Sequence, residues 1–144
     1  MDIKAVDLSP ARSRRVAGTT IRKDLEVNDS KHVHLVIAFA DYEIDAFEEI
    51  YFNNEKIWGG GSFVGNWETY VYLGLHDGSQ TTADQALVAA VNYWTNDHKL
   101  LGVAYGYFRL KYDDEHFAQG LPDVSAVIRD KKFYNQVTAV TEKL

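Results

Sequence analysis

The 144-residue chain is predicted to be a β-rich α+β domain, with antiparallel or mixed sheets and one packed helix over about residues 83–94. Three observations predict it. Aromatic residues make up 13% of the chain (Tyr 9, Phe 7, Trp 3) and sit among Val, Ile and Leu in short alternating runs, a strand-forming composition. A single stretch repeats its apolar residues at helical spacing. A hydrophobic content of 46% against 25% charged residues lies outside the range of intrinsically disordered chains. The expected organisation is one domain over residues 18–134, between a flexible N-terminal segment, 1–17, and a C-terminal tail, 135–144.

Thr19–Val27 reads as a first strand with Ile21, Leu25 and Val27 on one face, closed by the turn-forming Asn28-Asp29-Ser30. In Lys31–Phe39, Val33, Leu35, Ile37 and Phe39 alternate against His32, His34, Val36 and Ala38. One face is fully apolar and the other becomes so, which predicts a central strand. Phe47–Trp58 is expected to be a hairpin, because Asn tolerates positive φ and Asn53-Asn54 suits a two-residue type I′ turn. That loop would set Tyr51 opposite Lys56, Ile50 opposite Ile57 and Glu49 opposite Trp58. Gly59-Gly60-Gly61 is read as a flexible loop or hinge, and Glu68–Leu75 as a strand broken at Asp77-Gly78.

The helix is expected over Ala83–Trp94, capped by Thr81 or Thr82, with Asp84 and Gln85 in its first turn. Leu87, Val91 and Trp94, extended by Ala86 and Ala90, form its core-packing stripe. Leu101–Tyr112 is a long strand with Val103, Tyr105, Tyr107, Arg109 and Lys111 on one face. Its other face carries Gly102, Ala104, Gly106, Phe108, Leu110 and Tyr112, small enough in places for a close neighbour. Asp123–Lys131, entered through Gly120-Leu121-Pro122, closes the ordered part with Val124, Ala126 and Ile128 alternating.

Several function classes are disfavoured at this level. Lys+Arg 15 against Asp+Glu 21 leaves a net charge of −6, so no global positive field draws a phosphate backbone and no nucleic-acid partner is expected. No apolar run approaches the ~20 residues of a spanning helix, and no apolar region follows the basic N-terminal residues, so neither a membrane partner nor a secretory signal is expected. With Cys 0 there is no thiol nucleophile and no Cys-based metal site.

The candidate chemical groups are scattered. His32 and His34 share a strand face, the spacing of a metal pair that Asp41, Glu43 or Asp45 would have to complete; structural or interface histidines are the expectation, with no metal or cofactor. Asp113-Asp114-Glu115-His116 lacks the order of a calcium loop and reads as a solvated turn. Glu48 and Glu49, adjacent in a strand, point to opposite faces, and Ser62 after three glycines is neither a nucleophile elbow nor part of a P-loop. Arg12, Arg14 and Arg15 form a small basic cluster, expected to be solvated. No catalytic residue is assigned and the protein is not expected to be an enzyme. An alternative from another class is a small carbohydrate-binding or hydrolytic module with Trp58, Trp67 and Tyr72 as an aromatic platform beside Glu68.

Four collinear stretches carry more than composition: Lys31–Ala40 (KHVHLVIAFA), Glu43–Asn54 (EIDAFEEIYFNN), Gly102–Asp113 (GVAYGYFRLKYD) and Phe117–Tyr134 (FAQGLPDVSAVIRDKKFY). Together with Ser9-Pro10 and Arg14-Arg15, they make residues 9–134 resemble the N-terminal hub segment of the tail tip attachment, or host-specificity protein J, family of lambda-like long-tailed phages. The resemblance implies a non-enzymatic structural component of a phage or prophage tail tip, working through contacts with other tail proteins and with itself, as a ring or trimer. It implies a location in the virion tail, and in the bacterial host cytoplasm during assembly. Tyr70, Tyr72, Tyr105 and Tyr107 are the candidate interface residues, since Tyr supplies large contact area at low entropy cost, with a core position equally open to at least half of them. The chain departs from the family at Asp130, where Gly is usual, and at Asn135-Gln136-Val137, where an Asp-Pro-Arg-like continuation is usual. It is also many times shorter than the family's proteins, the length expected of a remnant, a split gene product or an excised domain, so host recognition is not carried over.

Overall fold

The computed structural model describes residues 12–25, 32–113 and 115–131. The expected turn at 28–30, Val27, and the tail from 135 lie outside the described residues, as do Met1–Ala11 of the N-terminal segment. The strands are β1 (Ser13–Ala17), β2 (Thr19–Leu25), β3 (His32–Ala40), β4 (Ala46–Phe52), β5 (Glu55–Gly59), β6 (Ser62–Phe63), β7 (Val71–Asp77), β8 (Ala104–Lys111) and β9 (Val124–Arg129). They form two antiparallel sheets, β1-β9-β4-β5-β6 and β2-β3-β8-β7, so the β-rich α+β class read from the sequence is the class of the fold.

The sheets pack face to face over one core. Val33, Leu35, Ile37 and Phe39 of β3 meet Ile50 and Phe52 of β4 and Val124, Ala126 and Ile128 of β9, joined by Phe108 and Leu110 of β8. Period-two alternation delivers these side chains to one face. A second cluster lies on the opposite face of the four-stranded sheet, where Leu87, Val91 and Trp94 cover Val36, Tyr105 and Tyr107. The molecule therefore has three layers, and β3 and β8 are buried on both faces.

Ser13–Ala17, expected within the flexible segment, is a strand paired antiparallel with β9, and its Val16 packs on the core. The chain then passes from one sheet to the other through Gly18, whose amide donates to the Val124 carbonyl at 2.8 Å. In β2 a bulge between Thr20 and Arg22 leaves Ile21 exposed rather than on an apolar face.

The β4–β5 hairpin keeps Tyr51 opposite Lys56, but Ile50 pairs with Trp58 and Glu49 with Gly59, not with Ile57 and Trp58. Ile57 is the extra residue of a bulge, which sends both it and Trp58 toward the core. Asn53 alone takes positive φ (55°), so the turn has the single positive-φ residue of type II′ rather than the two of type I′. Gly60 and Gly61, at φ 62° and 85°, make the tight turn between β5 and β6; Gly59 pairs with Ser62, so the triglycine is a hairpin turn rather than a hinge.

The helix α1 is shorter than expected, Gln85–Ala90. Asp84 rather than a threonine is its N-cap, accepting from the Leu87 amide at 2.9 Å. Val91 is already extended and the following Asn-Tyr-Trp-Thr-Asn run favours turns, yet Val91 and Trp94 stay buried on the sheet. Ala86 and Ala90 are exposed and lie off the stripe.

Candidate interaction surface

The four candidate tyrosines separate by strand. Tyr105 and Tyr107 are 0% and 1% exposed, so within this chain they are core and not interface. Segment 83–100 covers their face of the sheet, a layer that alternation within β8 cannot reveal. Tyr105 stacks on the His76 ring at 4.6 Å, and burial together with the Asp84 charge pushes its phenol up to about 12. The Tyr107 hydroxyl is hydrogen-bonded to His34 Nδ1 at 2.8 Å. Tyr70 is half-buried with its ring stacked on His116 at 3.8 Å. Tyr72 remains at the surface, 49% exposed on β7.

The aromatic platform is not assembled. Trp67 is buried against Phe52 and Phe117, Trp58 lies at the β4–β5 bulge, and Tyr72 leans on Tyr107 in the other sheet; no described cavity is lined by two of the three. His34 is buried beside Tyr107, and among the described residues no group of three or more His, Asp or Glu side chains is placed to hold a metal ion.

A feature the sequence reading missed is the open edge at β7. The Lys111 amide donates to the Tyr70 carbonyl at 2.7 Å, and Tyr72 stands opposite Arg109 in the same register. Even-numbered β7 residues therefore turn N–H and C=O toward β8, and Val71, Leu73 and Leu75 turn theirs outward. Asp77 does likewise, and its carbonyl accepts from the Ile44 amide at 2.9 Å. Among the described residues, Leu73 and Leu75 have no backbone partner on that side. An unpaired ladder of this kind is a template for another strand.

An open cavity of about 450 Å³ adjoins this edge, and a second of about 630 Å³ continues from it, sharing Ala46, Phe47 and Trp58. Leu75, His76 and Asp77 line the first; Glu48, Glu49 and Arg129 line the second. The trough thus has an apolar floor and a mainly acidic rim. The Asp77 carboxyl is held below its ordinary value, first by the Ser79 hydroxyl, which donates to it at 2.5 Å. Lys56 and Tyr51 donate to Glu49 and lower it in the same way.

Behind the edge, β7 is clamped to the helical layer. His76 Nε2 lies 2.6 Å from Asp84 Oδ2, and Asp84 is 6% exposed. Gly74 makes room for that carboxylate, since a Cβ there would stand 2.9 Å from Asp84 Oδ2. Gln80 ties the end of β7 to the segment before β8, accepting from the Gly78 amide and donating to the Leu100 and Val103 carbonyls at 2.6 and 2.9 Å.

No protein-family model matches the chain, and no curated protein matches it.

Proposed function

We propose that this chain is a hub segment of a phage or prophage tail tip, a structural part without catalysis that works by joining other tail proteins and copies of itself. The four collinear stretches support this reading from the sequence. The observation that carries it in the fold is the unpaired edge of β7 beside the trough formed by Phe47, Trp58 and Leu75. Backbone groups on such an edge provide affinity for an added strand, and neighbouring side-chain hollows provide its specificity. Tyr72, exposed on the same strand, adds aromatic contact area.

The test is light scattering over a concentration series at moderate salt, on the wild-type chain and on Leu73→Pro. Proline at an outward-facing edge position leaves the β7–β8 ladder intact and removes one docking donor. The wild type is expected to form a defined oligomer and the variant to remain smaller at equal concentration, with unchanged far-ultraviolet circular dichroism. A wild type that is monomeric throughout, or a variant that associates equally well, would overturn the edge as the joining element.

A further inference from the structure

We propose that the cavity between the end of β4, the 3-10 turn Trp67–Thr69 and the loop before β9 receives an arginine side chain of a partner protein. The inference rests on the reading of the chain as a protein-joining segment and names the partner chemistry at a second place on it.

The cavity measures about 280 Å³ and is walled by Phe52, Trp67, His116 and Phe117. The walls are built rather than incidental. Asp113 Oδ1 accepts from the His116 amide at 2.7 Å and Asp113 Oδ2 lies 3.1 Å from His116 Nδ1, which orients the ring. That ring is stacked on Tyr70 and meets Trp67 edge-on at 5.1 Å. Trp67 is itself edge-on to Phe52 at 5.5 Å, and its Nε1 donates to Glu55 Oε2 at 2.6 Å. The acidic turn that the sequence presents as merely solvated therefore holds one wall of the cavity, behind which Phe52, Trp67 and Phe117 are packed on one another.

Two carboxylates reach this cavity, Glu55 and Glu115. Glu55 Oε1 has no partner among the described residues, and Glu115 has no ion-pair partner there. Phe52, Trp67 and Phe117 are themselves buried, so the cavity meets an incoming group chiefly through polar atoms, and its two carboxylates repel anions and favour a cation. A guanidinium suits them better than an ammonium, because it is planar and presents a fork of donors that two carboxylates can share.

The experiment is a 1H–15N titration of the full chain with N-acetyl-arginine amide, following the Trp67 indole N–H, with N-acetyl-citrulline amide as the uncharged analogue. Saturable shifts are expected with arginine, weakened about fivefold to tenfold with citrulline and in Glu55→Gln and Glu115→Gln. Gln at position 55 keeps an acceptor for the indole while removing the charge, so folding is preserved. Glu68→Gln, next to Trp67 but outside the cavity, should bind as wild type. Absent shifts, or shifts equal for citrulline and unchanged in both cavity variants, would overturn the proposal. Light scattering on the same samples separates the two ideas: an oligomer with a silent cavity loses only this one, and a monomer that binds arginine loses only self-assembly through β7.

Discussion

Asp84 shows how one side chain links three parts of the molecule. Its Oδ1 caps α1, its Oδ2 holds His76 of β7, and it occupies the space that Gly74 leaves. Burial pushes its carboxyl up, but the His76 hydrogen bond and the Leu87 amide outweigh burial, and it lies below the ordinary 3.8. A carboxyl depressed in the folded state stabilises fully above its unfolded value, so this contribution is complete above about pH 4 and is lost as pH falls through the folded value. Asp84→Asn is expected to cost about 1–3 kcal/mol at neutral pH. Urea midpoints should show the gap to wild type narrowing as the pH is lowered below about 4. A gap that widens on acidification would contradict this assignment. The sequence placed Asp84 in the first turn for its charge, but its partner His76 becomes visible only when β7 and α1 are packed together.

At the scale of elements, crossings and bulges decide what alternation leaves open. Gly18 joins β1 to β2 across the two sheets, and a Cβ there would lie 2.4 Å from Ile37 Cγ2 and 3.0 Å from both Phe39 Cε1 and the Val124 carbonyl. Gly18→Ala is therefore expected to cost about 1–3 kcal/mol or more through overpacking, read as a lower urea midpoint. Gly60→Ala gives the contrast: nothing lies within 4 Å of a Cβ there, and only the positive φ of 62° is penalised, at about 1 kcal/mol. Equal losses at the two sites would remove the steric account of Gly18. The hairpin teaches the same lesson. Asn53-Asn54 identified the turn and the Tyr51–Lys56 pair, but the register beyond it slips by one because Ile57 enters a bulge. Local residue preferences specify a turn, whereas a bulge is chosen by the fit of β5 against the opposite sheet.

Across the whole molecule, the three-layer arrangement makes β3 and β8 the most protected strands. In their register Leu35 stands opposite Phe108 and Ile37 opposite Gly106, with buried clusters on both sides. Hydrogen exchange is expected to be slowest at the amides of Leu35, Ile37, Gly106 and Phe108, and faster in β1 and β6 at the sheet edges. Equal protection in β1 would mean that its edge is covered in solution, which also bears on how copies associate.

Sequence alone determined the strand-rich class, the positions of most strands, the central place of β3 and the existence of one apolar helical stripe. These follow from periodicity, and periodicity is a property of neighbouring residues. Tertiary structure alone decided that Tyr105 and Tyr107 are core while Tyr72 is surface, because an apolar strand face does not say which segment will cover it. It also decided that β7 is an edge and that Glu55, Trp67 and His116, distant in sequence, wall one cavity. Strand order and cavity walls are set by contacts between segments far apart in the chain, and burial of apolar surface selects those contacts only when all the segments fold together.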